Sequence, residues 1–161
     1  MKNSKYKTRS YCYNKLLSRD KFVNLLMSNG NKNMSEKIAV NIFKTISIMS
    51  SRAVNPVDVF KVFTVNAGPL VDTKNVRYRR RNILIPFFLT KNLRNKKVLR
   101  FLVSYSQKLS GSNKTKILAS EILKSSSFSL QDYGKTNSLT KKVELYTLAQ
   151  ANKAFAHYRW F

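Results

Sequence analysis

At Gly68-Pro69 the hydrophobic period of this chain changes. Before that break, apolar residues recur every three or four positions, as on one face of a helix. After it come "LVDTKNVRY" and "NILIPFFL", β-branched and aromatic segments too short to make good helices. They read as two strands joined near Arg79–Arg81. Pro86, inside the second, cannot donate to a ladder, so it argues for an edge or a two-stranded ribbon. Helical spacing then resumes. The pattern predicts a mainly α protein: a six-helix, bundle-like body with a two-stranded β-hairpin, at about residues 70–88, protruding between helices three and four.

Local signals place the helices. "SRDKFVNLLMSN" carries Phe22, Leu25 and Leu26 at helical spacing, with Gly30 as a stop. "MSEKIAVNIFKTISIMS" has Ser35 as a cap and a stripe of Ile38, Ile42, Ile46 and Met49, widened by Ala39 and Phe43. In "NPVDVFKVF", Asn55 caps, Pro56 takes the first helical position and Asp58 the first turn, with Val59, Phe60 and Phe63 on one face. The fourth pattern ends at Gly111, with Leu99, Leu102, Val103 and Leu109 inward and Lys97, Arg100 and Lys108 along the other side. The fifth, capped by Ser112 or Asn113, turns Ile117, Leu118 and Ile122 inward. After a Ser-rich loop, the sixth puts Leu145, Leu148, Ala149 and Phe155 on one side. No internal repeat or domain boundary interrupts residues 21–161, which read as one domain behind a basic arm, residues 1–20.

Charge decides what such a body is for. Thirty-one Lys and Arg face seven Asp and Glu, a net charge of +24 in 161 residues. A compact domain repels itself at that imbalance and tolerates it best beside a polyanion. The basic residues gather in the arm (Lys2, Lys5, Lys7, Arg9), in "NVRYRRRNILIP", in the pair Lys141-Lys142 and in "NKAFAHYRWF". Arginine forks suit phosphate oxygens, and aromatic faces stack on unpaired bases. A membrane-active helix would carry its charge along one polar face, which this distribution does not. The arm also has an alternative reading as an organelle-targeting segment.

Catalysis finds little support. The four glycines form no phosphate-binding loop, and Cys12 and His157 are the only residues of their kinds, which excludes an internal disulfide and argues against a thiol or histidine metal centre. Glu36 and Asp58 sit where helices should start, a placement favoured by the helix dipole. The expectation is no enzyme, no metal and no cofactor. The alternative to an RNA-binding structural protein is a free architectural DNA binder using its basic ribbon.

The terminal "ANKAFAHYRWF" closely resembles the C-terminal signature of the universal small ribosomal subunit protein seven family. "KFVNLLMSNGNKNMSEKI", "NPVDVFKVFTVNAGPLV" and "KTKILASEIL" are similar to its first two helices with their loop, its third helix with the hairpin entry, and its fifth helix; Pro86 falls where its hairpin has a proline. The resemblance runs from about Lys21 to Trp160. It implies a structural constituent of the small subunit that binds the 3′ major domain of the rRNA and nucleates head assembly. It also implies a place near the exit-site tRNA and the mRNA exit, among neighbouring ribosomal proteins. Carried over by position, it makes Lys32, Lys74, Arg77, Lys141, Lys142, Lys153, His157, Arg159 and Trp160 rRNA-facing. Phe155 and Trp160 are equally readable as packing residues, and Asn152 as a cap or brace. The arm does not align, so its RNA role rests on charge alone.

The family hairpin usually bends at a Gly-Gly pair, where this chain has Arg79-Arg80. Arginine pays more than glycine for positive φ. The substitution predicts a wider or differently shaped tip, with Arg79, Arg80 and Arg81 adding charge toward tRNA and mRNA. Abundant Lys, Asn, Ile, Phe and Tyr, and Phe161 after the tryptophan, suggest an organelle-encoded version, mitochondrial in the first instance, with plastid and bacterial origins as alternatives.

Overall fold

The computed structural model describes residues 20–50, 54–109, 114–127 and 136–159. They form a mainly helical body with one β-hairpin. Helix α1 covers 20–26. It is followed by α2 (Lys32–Met49), α3 (Pro56–Asn66), β1 (Val71–Tyr78), β2 (Arg81–Phe88), α4 (Lys91–Lys108), α5 (Lys114–Ser126), α6 (Asn137–Ala151) and a terminal 3₁₀ helix (Lys153–Tyr158). The hairpin stands between α3 and α4, as the change of period requires.

The core is the meeting of α1 to α5. Phe22, Ile42, Ile46, Phe63, Leu99, Leu102, Leu118 and Ile122 are fully buried there. Ala39 and Ala119 let α2 and α5 approach closely. Phe60 lies at the centre of an aromatic group, its ring 5.5 Å from Phe22, 5.5 Å from Phe43 and 6.0 Å from Phe63. Such tilted and edge-on pairs add to the stabilisation from burial alone. Start signals hold for α3: the Asn55 side chain accepts from the Val57 amide at 3.2 Å, Pro56 opens the helix and Asp58 pairs with Lys61 at 2.6 Å.

Several expectations need correction. Helix α2 begins at Lys32, not after Ser35, because Asn29 (φ 51°) and Gly30 (φ 74°) complete the reversal early. Ser35 is instead buried inside the helix, its hydroxyl donating to the Lys32 carbonyl at 2.8 Å. Glu36 therefore lies beyond the first turn. The buried stripe is Ser35, Ala39, Ile42 and Ile46, while Ile38 and Met49 are exposed. Lys97 does not lie with the solvent-facing cations of α4: it is half-buried, 2.7 Å from Asp72. The sixth pattern ends as a helix at Ala151 and tightens to 3₁₀, leaving Leu148 and Phe155 exposed. Gly111, Ser112, Asn113 and most of the Ser-rich loop lie outside the described residues.

Gly68 has a steric duty. A Cβ there would come 2.8 Å from the Thr64 carbonyl oxygen, part of rigid helix backbone, and 3.5 Å from the Arg94 guanidinium. Gly68→Ala is expected to destabilise the protein by about 1–2 kcal/mol through this overpacking, read as a lower urea midpoint at unchanged m-value.

Candidate nucleic-acid interface

The hairpin pairs Val71 with Phe88 through to Tyr78 with Arg81 in unbroken antiparallel register. Two residues, Arg79 (φ 44°) and Arg80 (φ 69°), close it. Positive φ at both central residues is the mark of the tight turn whose twist matches the strands, and it normally selects Gly or Asn. The expectation of a wider tip is thus overturned: the twist of the ribbon imposes the narrow turn, and the arginines accept the left-handed conformation. That conformation costs a non-glycine residue about 1–2 kcal/mol. Replacing Arg79 and Arg80 together with glycine should stabilise the hairpin by roughly 1 kcal/mol after allowance for glycine's extra freedom in the unfolded chain. Hydrogen-exchange protection of the β1 and β2 amides would register the gain.

Register also assigns faces, because directly paired residues project to the same side. Lys74, Tyr78, Arg81 and Ile85 share one face; Arg77, Asn82, Leu84 and Phe88 share the other. Lys74 and Arg77 are both exposed but on opposite sides. The ribbon is therefore cationic on two faces and at its tip, a shape suited to entering between anionic elements rather than lying on one.

Its base is held to the body by polar contacts. Asp72, largely buried, receives the Lys97 ammonium on one oxygen at 2.7 Å and the Thr73 amide on the other at 2.9 Å. The Tyr146 hydroxyl of α6 accepts from the Leu70 amide at 3.0 Å. The terminal 3₁₀ helix packs against β2. There the Tyr158 ring lies 5.3 Å from Tyr78, and the Arg159 guanidinium lies 5.5 Å above Phe88. The hairpin and the C-terminal tail, two of the basic segments read from the sequence, are thus brought together.

The lysine pair at the start of α6 is used differently. Lys141 donates to the Ser104 hydroxyl at 2.6 Å and lies over the Phe101 ring. Lys142 donates to the Asn66 carbonyl, at the C-terminal end of α3, at 2.7 Å. Burial, then the nearby Lys108, lowers the Lys141 pKa, against a raising effect of Glu144; burial, then Arg94, lowers that of Lys142. Both ammonium groups are engaged within the protein, bracing α6 against α4 and α3.

Comparison with known proteins bears on this arrangement. The chain matches the family described as "Ribosomal protein S7p/S5e" over residues 1–153. It is 31% identical to the small ribosomal subunit protein uS7 of Desulfitobacterium hafniense over 140 residues, 87% of this chain and 85% of that protein. It is 33% identical to the uS7 of Mycoplasma mobile over 141 residues, with the same coverage. The uS7 of Gemmatimonas aurantiaca matches equally, 33% over 141 residues.

The chain belongs to the ribosomal protein uS7 family.

As a uS7 family member it is a structural, non-catalytic constituent of the small ribosomal subunit, with rRNA and ribosomal proteins as its implied partners. Among the described residues, no cluster of His, Cys, Asp and Glu could hold a metal, and no helix is long and apolar enough to cross a membrane. The other residues singled out in the sequence fall as follows. Lys32 opens α2 and is exposed, with only a loose 3.9 Å pairing to Glu36. Lys153 and His157 are exposed on the 3₁₀ helix; the His157 Nδ1 lies 2.8 Å from the Ala154 carbonyl and its ring 4.0 Å from Tyr158. Asn152 caps α6, its side-chain amide donating to the Leu148 carbonyl at 2.8 Å, which is the bracing role. Lys2, Lys5, Lys7, Arg9 and Trp160 lie outside the described residues. Sequence reasoning missed Tyr78 and Phe88 as partners of the tail. Their aromatic character was visible, but the contact depends on how the 3₁₀ helix returns to the ribbon.

Proposed function

We propose that this protein binds the 3′ major domain of small-subunit rRNA, nucleates assembly of the head, and presents its hairpin and tail toward the exit-site tRNA and the mRNA exit. One observation carries the reading beyond family membership: an anchored ribbon, cationic at its tip and on both faces, lies against a second cationic segment, the 3₁₀ helix. Lys32, Lys74, Arg77, Lys153, His157 and Arg159 are the contacts to rRNA within the described residues. Lys141 and Lys142 shape the interface chiefly by bracing α6, and Trp160 is a further rRNA contact in this reading. Residues 1–20 act as an arm that reaches RNA through Lys2, Lys5, Lys7 and Arg9, ahead of a single domain over 21–161. The abundance of Lys, Asn, Ile, Phe and Tyr supports an organelle-encoded, mitochondrial protein; the bacterial relatives fit equally well with the bacterial alternative.

Footprinting of the purified chain on small-subunit rRNA tests this. Protection confined to the 3′ major domain, resistant to an excess of duplex DNA, is expected. Equal competition by arbitrary duplex DNA at physiological salt would replace this reading by the architectural DNA-binding one. Alanine at Arg79, Arg80 and Arg81 together should leave the fold and subunit incorporation intact and weaken exit-site tRNA retention. Alanine tolerates the left-handed turn no worse than arginine does, so a loss of stable folding would instead mark the tip as structural.

A further inference from the structure

Around the junction of hairpin and tail, aromatic rings and arginines alternate. The Arg79 guanidinium lies 5.3 Å from the centre of the Tyr78 ring, Tyr78 lies 5.3 Å from Tyr158, and Tyr158 lies 4.0 Å from the His157 ring. By register Phe88 projects from the opposite face of the ribbon, 72% exposed, with the Arg159 guanidinium 5.5 Å above it. None of these rings belongs to the core cluster. Laying charge along a phosphate backbone needs no aromatic faces in water. Leaving a phenylalanine this exposed is unfavourable unless a partner covers it.

We propose that this junction holds two stacking stations for the bases of single-stranded RNA. One is the Tyr78–Tyr158–His157 stack beside the tip, where Arg79, Arg80 and Arg81 meet the neighbouring phosphates; the other is Phe88 beneath Arg159, at the opposite end of the ribbon. The inference rests on the RNA-binding reading above and adds the class of RNA: unpaired, not helical. A duplex keeps its base faces stacked internally and offers only phosphates, sugars and groove edges to a protein, whereas a single strand offers a π-face at every nucleotide. Arginine beside the rings supplies the cation that both phosphate and base face attract.

The full-length protein is titrated with an unstructured RNA oligonucleotide, with an RNA duplex of the same length, and with a 3′ major-domain rRNA fragment. The variants are Phe88→Ser, Tyr78→Leu and the two combined. The double variant should lose roughly 10- to 100-fold in single-strand affinity, the range expected for losing a stacked base or two, with an unchanged salt slope. Duplex and rRNA-fragment affinities should stay within about twofold. Equal loss on duplex and single strand, or single-strand affinity unchanged in the double variant, overturns the proposal. Failure of the unaltered protein to bind the rRNA fragment condemns the broader reading instead, and the two failures are thereby separate. Phe88→Ser removes an exposed ring, so the fold survives it even where Tyr78→Leu loosens the tail, and that single variant alone still decides.

Discussion

Affinity for small-subunit rRNA should fall about three to five orders of magnitude between roughly 50 and 200 mM monovalent salt, the loss expected for about six to ten neutralised phosphates. The count rests on where the cations are. Among the described residues, the ion pairs Lys32–Glu36, Lys61–Asp58 and Lys97–Asp72 engage only a few of the 31 basic side chains. Two of these pairs are exposed and weak in water. The cations of the hairpin tip and tail are solvent-facing and so retain their charge for a polyanion. Each phosphate that meets one releases condensed counterion, and added salt opposes that release directly. The measurement is the slope of log affinity against log salt for the 3′ major-domain fragment. A slope equivalent to one or two phosphates would mean that the surplus charge is not what binds the RNA.

Replacing Glu121 with alanine should cost about 2–3 kcal/mol of stability, the loss expected when two buried hydrogen bonds to a charged group disappear. Glu121 is on α5 and 6% exposed. Its Oε1 accepts from the Ser138 amide at 2.9 Å and from the Ser138 hydroxyl at 3.1 Å. Ser138 is in the first turn of α6, whose own N-cap residue, Thr136, makes no side-chain cap bond. Thr136 instead meets the Ser125 hydroxyl at 3.2 Å, also from α5. One of the orphan amides of α6, that of Ser138, is thus satisfied from a neighbouring helix, and the carboxylate sits at the favourable end of the helix dipole. Its loss should lower the melting temperature by roughly 5–10 °C for a chain of this size. Glu121→Gln keeps an acceptor and should lose less. A change in melting temperature below about 1 °C in the alanine variant would show that α6 is held by its other contacts alone.

That carboxylate was not legible beforehand, and the reason is general. Sequence reasoning located Asp58 because a first-turn acid is a local feature. Glu121 lies mid-helix, and its partner is 17 positions away. Nothing in the spacing of α5 signals that its inner face must cap another helix. Asp72 is similar: the strand predicted around it was correct, but Lys97, read as a surface cation, is the group that neutralises it. In α2 Ala39, Ile42 and Ile46 were read correctly as facing inward and Ile38 and Met49 were not, and the start was misplaced, since a left-handed turn at Asn29-Gly30 began the helix sooner than its cap signal suggested.

The chain's own letters settled the class of fold, the place of the hairpin, the absence of plausible catalytic groups and the need for a polyanionic partner. Those properties follow from hydrophobic period, from proline and glycine positions and from net charge, all of which are local or additive. Tertiary structure alone decided that Arg79 and Arg80 take a tight left-handed turn, that Lys141 and Lys142 brace α6, and that the tail returns to stack on Tyr78. Each of these depends on groups distant in sequence meeting at hydrogen-bonding or van der Waals range. Such meetings are decided by packing, in which the twist of a ribbon or the approach of two helices overrides what a residue would prefer by itself.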